Sequence, residues 1–320
     1  MSNTTASLAV SKAAAGYRGA GRKLSLPRQL GLQALLLFIT FTVMFPILWI
    51  VSLSLDPSEN KRPTTLNIIP PGASLQWYQQ VIEKPTSNPV NFVRLALNSF
   101  KLAGGASLAS VLIGLLAAYS FSRFRFGGRQ ALMVGVITVL MLPSIATLAP
   151  LYVMLNKIEI PGFMMTAGTN CNPFTLRNSL WGVGLAMVSG GLPFAIWNLK
   201  GYIDTIPKEL EEAALIDGCN PTQTFALVML PLAVPAIAVT AFIGFMGGWT
   251  EFALSWQFLT CANDFTLTMA LWNMTGQYAD SVPWGSFAAM SILIALPVSA
   301  VYLVLQKYIV GGLTVGGVKG

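Results

Sequence analysis

The chain has 320 residues, of which 54% are hydrophobic and only 10% are charged, with a formal net charge of +7. A soluble domain carries about 25% charged residues, so this composition excludes a water-soluble fold. Histidine is absent, which excludes proton transfer by imidazole and any histidine-based metal site.

Six apolar runs are long enough to form membrane-spanning helices, each of which needs roughly 20 mostly apolar residues. A basic tail, residues 1–29, precedes them, and the first run is too long to be the apolar part of a signal peptide. The LPSIATLAP segment, which begins at Leu142, predicts a kink in the third span. The predicted spans are 30–55, 97–121, 131–155, 179–199, 233–256 and 287–309. We therefore predict an all-α membrane domain over 30–309, followed by a short tail at 310–320.

The positions of lysine and arginine predict how the chain is oriented. Of the 19 basic residues, 12 fall on one side of the predicted membrane. That side also holds both termini and the short RFRFGGR turn after the second span. Cytoplasmic loops are enriched in lysine and arginine, so we expect both termini in the cytoplasm and the loops 56–96, 156–178 and 257–286 outside. In the first outer loop, Trp77 and Tyr78 are expected at the lipid headgroups.

Several chemistries find no support in the sequence. The cysteines Cys171, Cys219 and Cys261 have no metal-ligand spacing, and whether Cys171 bonds to Cys261 stays open. No GxxxxGK[ST] phosphate loop is found, so ATP and Mg are expected on a different polypeptide and no catalysis is expected here. Orientation accounts for the net charge, and we expect no cofactor, metal or nucleic-acid partner.

A charged, alanine-bearing island separates the fourth and fifth spans. Pro207 suits the first turn of a helix, and Gly218 suits its C-terminal cap. Three acidic residues in the early turns, Glu209, Glu211 and Glu212, interact favourably with the helix dipole. We predict a helix of about three turns, about 16 Å long, on this surface. The adjacent Ala213 and Ala214 would let another protein approach closely. From these features alone, a docking helix and an ordinary connector both stay open.

The island resembles the EAA motif of ABC importer permeases, which is Glu-Ala-Ala, three residues, Gly, nine residues, an aliphatic residue, one residue and Leu-Pro. The C-terminal QKYIVGGLTVGGVKG is similar to the end of one membrane subunit of maltose/maltodextrin-type importers. AYSFSRFRFGGR after the second span and GGWTEFALSW in the fifth also resemble that subunit. The resemblance covers the chain from about residue 30. The residues of the motif and its loop are Glu212, Ala213, Ala214, Asp217, Gly218, Val228, Leu230 and Pro231.

The resemblance implies the ABC type I importer permease fold, with six transmembrane helices and both termini cytoplasmic. It also implies four partners: a second, dissimilar permease subunit, an ATPase subunit dimer, an extracytoplasmic sugar-binding protein and the lipid membrane. The EAA helix, in the cytoplasmic loop 200–232, would be the coupling helix seated in the ATPase. Glu212 would pair there with a basic group, while Ala213 and Ala214 permit close contact.

Two further segments gain roles from the resemblance. The tail would reach between the ATPase subunits, and the loop 257–286 would displace sugar from the binding protein. Glu251 and Trp249 are candidates for lining the path, although a structural role for Glu251 and packing for Trp249 are the favoured interpretations. The tail residues are Gly311, Gly312, Gly316 and Gly317, and the loop residues are Asn263, Asp264, Asn273, Gln277 and Tyr278.

The predicted function is the permease subunit of an ATP-driven importer, in the bacterial inner membrane, for maltose, maltodextrin or a related oligosaccharide. The same machinery for another small solute, such as glycerol phosphate or a different disaccharide, is an alternative. A stand-alone secondary transporter would need intramembrane ionisable groups, and apart from Glu251 the spans are nearly free of them. A non-transporting scaffold would not explain the EAA spacing.

Overall fold

The computed structural model describes residues 25–58, 68–159, 175–275 and 282–316. Within these ranges the chain is helical, and its one extended pairing is an isolated bridge between Glu159 and Thr175. The helices are α1 Leu26–Leu55, α2 Gln76–Glu83, α3 Phe92–Arg123, α4 Arg129–Leu140, α5 Leu148–Asn156, α6 Leu180–Ile203, α7 Glu209–Ile216, α8 Pro221–Trp249, α9 Ala253–Phe258, α10 Leu267–Asn273 and α11 Trp284–Gly316.

Five of these helices, α1, α3, α6, α8 and α11, are long and apolar enough to cross a membrane. The α4–α5 pair supplies a sixth apolar segment, bent by 98° around the 3-10 turn Ser144–Thr147. The predicted kink is therefore a sharp break. Pro143 explains it, because its ring disfavours a helical residue before it and it has no N–H to donate.

Several predicted span ends differ from the structure, and the fifth and sixth spans differ most. The fifth span was expected to reach residue 256, but α8 ends at Trp249 and the separate helix α9 follows. At the C-terminus, α11 continues past the expected end at residue 309 to Gly316. Apolar composition runs on through both boundaries, so hydropathy alone does not locate them.

Close backbone contacts hold α3 against its two neighbours. A methyl group added at Gly114 would lie 2.9 Å from Cβ of Ala195 on α6, and one added at Gly248 would lie 2.6 Å from Cα of Ala103. Small residues allow helices in a membrane to approach this closely. A hydrogen bond from Ser107 Oγ on α3 to the carbonyl oxygen of Ala241 on α8, at 2.7 Å, adds to this packing. We call α3, α6 and α8 the central helices.

The aromatic residues of α2 have specific protein partners. Trp77 Nε1 donates to the carbonyl oxygen of Asp56 at 2.6 Å, and the hydroxyls of Tyr78 and Ser54 are 2.8 Å apart. A methyl group added at Gly285 of α11 would lie 2.6 Å from Trp77 Nε1. Packing against α11 therefore positions these rings, in addition to any effect of the lipid headgroups.

We predict that Gly248→Ala lowers the stability of the folded protein by about 1–3 kcal/mol, since the added methyl group overlaps the backbone of α3. The matched control is Gly247→Ala, where the added methyl group has no neighbour within 4 Å. Thermal unfolding of the purified protein in one detergent measures the difference. Equal midpoints for the two variants would contradict the close packing of α3 on α8.

Candidate functional site

The polar island forms the short helix α7, Glu209–Ile216, one turn after α6 ends. Eight residues make a helix of about 12 Å, which is shorter than the predicted three turns. The N-cap is Lys208, so Pro207 lies just outside the helix rather than in its first turn. Glu209, Glu211 and Glu212 all lie in the first turn, where negative charge interacts favourably with the helix dipole.

Gly218 ends α7 in the left-handed conformation, with φ of +92°. The amide of Cys219 donates to the carbonyl oxygen of Ala214 at 3.0 Å, and the amide of Gly218 donates to that of Leu215 at 3.1 Å. These two bonds define the Schellman motif, so the predicted capping role of Gly218 is confirmed.

Helix α8 begins at Pro221, three residues after Gly218, and its N-terminus is capped by Asn220. The Asn220 side chain accepts from the Gln223 amide and the Gln223 side chain accepts from the Asn220 amide, both at 2.9 Å. Pro221 occupies the first helical position, where its missing N–H is not needed. The turn from α7 to α8 is therefore closed by hydrogen bonds at both ends.

The Leu230-Pro231 end of the EAA motif follows a π-helical turn, Phe225–Met229. A proline inside a regular α-helix clashes with the carbonyl of the residue four positions earlier. A widened π turn is a recognised way to accommodate such an interruption. Both Leu230 and Pro231 are at least partly exposed, so this part of the motif shapes α8 and also contributes to its surface.

The two alanines of the motif differ in exposure. Ala214 is 7% exposed and packs inside the chain, whereas Ala213 is exposed. Glu212, Asp217 and Gly218 are exposed as well. The exposed apolar side chains of α7 include Leu215 and Ile216, the latter 86% exposed. Helix α7 therefore exposes Ala213 together with carboxylates and apolar side chains.

The inward side of α7 is held by Glu211, which forms a buried ion pair with Arg123 at the end of α3. Only 7% of the Arg123 side chain and 12% of the Glu211 side chain are exposed. The second carboxylate oxygen of Glu211 accepts from the Tyr119 hydroxyl at 3.0 Å. Arg123 Nη2 donates to the carbonyl oxygen of Ile206 at 2.9 Å, in the connection between α6 and α7.

The same cluster reaches α6 through Ser122. The Ser122 hydroxyl donates to Asp204 at 2.5 Å, and Lys200 forms an ion pair with the other oxygen of Asp204, also at 2.5 Å. Burial would raise the pKa of Asp204, but the hydrogen bonds from Lys200 and Ser122 outweigh it and lower the pKa from 3.8. Asp204 is therefore ionised at neutral pH and holds the ends of α3 and α6 together.

The sequence interpretation missed the inward role of Glu211 and Arg123. It treated Arg123 only as a topology signal and Glu211 only as a dipole charge. Residues three apart share a helix face, so Glu211 lies on the same side as Ala214, while Glu212 does not. The buried alanine identifies which of the two glutamates faces inward, but the sequence alone does not show which alanine is buried.

A cleft of about 550 Å³ lies among α3, α5, α6 and α8. It is lined mainly by small and apolar groups, including Gly191 and Gly247, and also by the polar Ser110 and Glu251. Trp249 is absent from this lining. It is 2% exposed, stacks on Phe245 and donates from Nε1 to the carbonyl oxygen of Ile294 at 3.1 Å. Of the two candidates for lining a path, the structure places only Glu251 at the cleft.

Glu251 also caps helix α9. Its carboxylate accepts from the amide of Leu254 at 2.5 Å and from the amide and hydroxyl of Ser255 at 3.0 and 2.5 Å. These bonds satisfy donors at the start of α9 that have no partner within the helix. The end of the fifth span before residue 256 follows from this cap, because the chain stops α8 and starts a new helix at Glu251.

The segment after α9 is tied to α3. Asn98 Nδ2 donates to the carbonyl oxygens of Asn263 and Phe265 at 2.8 and 3.0 Å, and Arg94 Nε donates to that of Asn263 at 3.2 Å. Asp264 is 6% exposed, which leaves it poorly placed to contact a sugar. Asn273 is exposed.

Other predicted positions lie partly beyond the described residues. Gln277, Tyr278 and Gly317 are outside them, while Gly311, Gly312 and Gly316 belong to the backbone of α11. Cys261 is disulfide-bonded, Cys219 is free and Cys171 lies outside the described ranges. Across the described parts of the chain, no group of three Cys, Asp or Glu side chains is arranged to hold a metal ion.

The sequence matches known transport proteins. Residues 110–315 match the model of the family described as binding-protein-dependent transport system inner membrane component. The chain is 34% identical to the maltose/maltodextrin transport system permease protein MalG of Yersinia pestis, over 92% of this chain and 94% of that one. It is also 34% identical to MalG of Escherichia coli strain K12, over 89% and 94%.

Solved structures share the fold. One is a bacterial ABC transporter involved in the import of the acidic polysaccharide alginate, with a TM-score of 0.69 and 21% identity, over 88% of this chain and 96% of that chain. Another is the MetNI methionine ABC transporter, with a TM-score of 0.52 and 17% identity, over 69% and 95%. The predicted importer-permease fold is confirmed.

We predict that Gly218→Val loosens the end of α7, while Gly218→Asn does so less. A left-handed backbone costs a residue with a Cβ about 1–2 kcal/mol, so exchange of the 217–219 amides should accelerate by on the order of tenfold in the valine variant. Asparagine tolerates this conformation better than valine. Hydrogen exchange with mass spectrometry makes the comparison, and equal rates in both variants would show that the cap does not limit opening.

Proposed function

Because the chain belongs to the family of binding-protein-dependent transport system inner membrane components, we propose that it carries maltose, maltodextrins or a related oligosaccharide. It is a multi-pass permease subunit of the inner membrane and not itself an enzyme. The observation that supports the sugar class is the 34% identity to MalG over nearly the whole of both chains.

The cleft is compatible with a sugar path of which this chain forms one side. Its lining includes few polar groups with spare hydrogen-bonding capacity: the Ser107 hydroxyl already donates to Ala241, and that of Thr240 donates to Ala236. We infer that this chain mainly shapes the path and that the second permease subunit makes most polar sugar contacts. Glycerol phosphate or another disaccharide remains the alternative cargo for the same machinery.

We further propose that the exposed surface of α7 binds a separate ATPase subunit dimer, which binds ATP and Mg. Glu212 supplies a carboxylate for a basic partner, and Ala213 leaves room for close approach beside the apolar Ile216. On the same proposal, the glycines at 311–317 approach the ATPase subunits. Asn273, Gln277 and Tyr278 then face the extracytoplasmic sugar-binding protein.

Reconstitution into proteoliposomes tests the function as a whole. The chain would be purified with its second permease subunit and ATPase subunits, and supplied with the cognate binding protein and a panel of maltose, maltodextrins, trehalose and glycerol phosphate. We expect ATP-dependent uptake, and stimulation of ATP hydrolysis, to be greatest with maltose or maltodextrin. Uptake without ATP would favour a secondary transporter, and greatest stimulation by glycerol phosphate would replace the proposed cargo.

We predict that Ala213→Trp prevents the ATPase subunits from co-purifying with the permease, because the indole occupies the space needed for their approach. Ala213→Ser is the matched control and should retain them. Ala214→Trp should instead destabilise the permease itself, since Ala214 is buried within the chain. Normal co-purification of the Ala213→Trp variant would place the ATPase elsewhere.

A further inference from the structure

We propose that Arg123 is a positioning residue that fixes the coupling helix α7 to the central helices, so that movement of α7 moves the walls of the cleft. This inference rests on the proposed function, in which α7 receives the motion of the ATPase. It concerns the inward side of α7, opposite the surface proposed to bind the ATPase.

The ion pair between Arg123 and Glu211 is suited to fixing one geometry. Both side chains are almost fully buried, and each has further hydrogen bonds besides the pair. A buried charge that loses its partner is strongly unfavourable, because the interior does not solvate it. The planar guanidinium also directs its N–H groups along fixed lines, so α7 is held in orientation as well as in position.

The cluster joins α7 to every central helix. Arg123, Ser122 and Tyr119 are at the end of α3, and Asp204 with Lys200 extends the hydrogen bonds to α6. On α8, the ring of Phe225 lies 4.8 Å from that of Tyr119, centroid to centroid. The Met229 sulfur lies 4.0 Å from Arg123 Nη2.

The central helices then carry displacement to the cleft. Helix α7 has only eight residues, so without the cluster its orientation relative to α3 would depend on the flanking turns and on the packing of Ala214. With the cluster in place, a force on α7 acts on the end of α3. Helix α3 packs closely on both α6 and α8, and all three line the cleft.

The test compares Arg123→Gln and Glu211→Gln with two exposed residues outside both the cluster and α7, Arg125→Gln and Glu83→Gln. The complete importer is reconstituted, and three quantities are measured: co-purified ATPase, ATP hydrolysis, and sugar uptake per ATP hydrolysed. We expect the two cluster variants to keep the ATPase and to hydrolyse ATP, but to lose about tenfold in uptake per ATP, as for an ordinary coupling between sites. The two controls should match the wild type.

Two further variants separate positioning from general stability. Arg123→Lys keeps the charge but loses the forked donors, so its uptake per ATP should fall between wild type and Arg123→Gln. The exchange Arg123→Glu with Glu211→Arg restores opposite charges and should recover part of the loss. A merely structural role would lower the amount of folded complex without changing uptake per ATP.

Three results would overturn the inference: uptake per ATP in Arg123→Gln equal to that in Arg125→Gln, loss of the ATPase subunits from the cluster variants, or no recovery in the charge exchange. If Arg123→Gln does not accumulate, Tyr119→Phe takes its place, because it removes one hydrogen bond to Glu211 with little change of volume. Wild-type uptake per ATP in that variant would also overturn it. A wild-type importer without ATP-driven uptake would instead refute the proposed function.

Discussion

The buried ion pair of Arg123 and Glu211 is the interaction on which the arrangement of the polar island depends. Water solvates every carboxylate of the polar island, so solvation alone does not select one orientation of α7. The guanidinium at the end of α3 gives one of these carboxylates a partner inside the protein. The remaining carboxylates, with Glu212 among them, then stay on the water side of α7. This one ion pair thus distinguishes the side of α7 that is fixed to the protein from the side proposed to bind the ATPase.

The caps of α7 and α8 complete this geometry. Gly218 closes α7 with a Schellman motif, Asn220 opens α8 with a capping box, and Pro231 follows a π turn. Several residues of the EAA pattern therefore determine backbone conformation: glycine is found where the chain turns, and proline follows the widened π turn. At the other end of α3, Asn98 and Ser99 hold the segment that leads into α10. Helix α3 thus connects both candidate partner surfaces to the cleft.

The sequence predicts the long apolar helices, the break near Pro143 and the cap at Gly218, because each depends on local composition or backbone preference. It does not separate Glu211 from Glu212 or Ala213 from Ala214, since neighbouring residues differ only in which side packs inward. Trp249 and Glu251 show the same limit. Both belong to the GGWTEFALSW segment, yet Trp249 packs in the core and Glu251 caps α9 beside the cleft. Such distinctions depend on tertiary contacts between residues far apart in the chain.

The central claim is that α7 and the end of α3 move as one body, and a distance between them tests it most directly. Cysteines for spin labelling would replace Lys208, the exposed N-cap of α7, and Arg125, which is also exposed. The background would carry Cys219→Ser, since Cys219 is the free cysteine among the described residues. Pulsed electron paramagnetic resonance on the reconstituted importer would compare the resting state with a nucleotide-trapped state. We predict the same distance distribution in both states. A shift of several ångströms would show that α7 moves independently of α3 and would contradict the account.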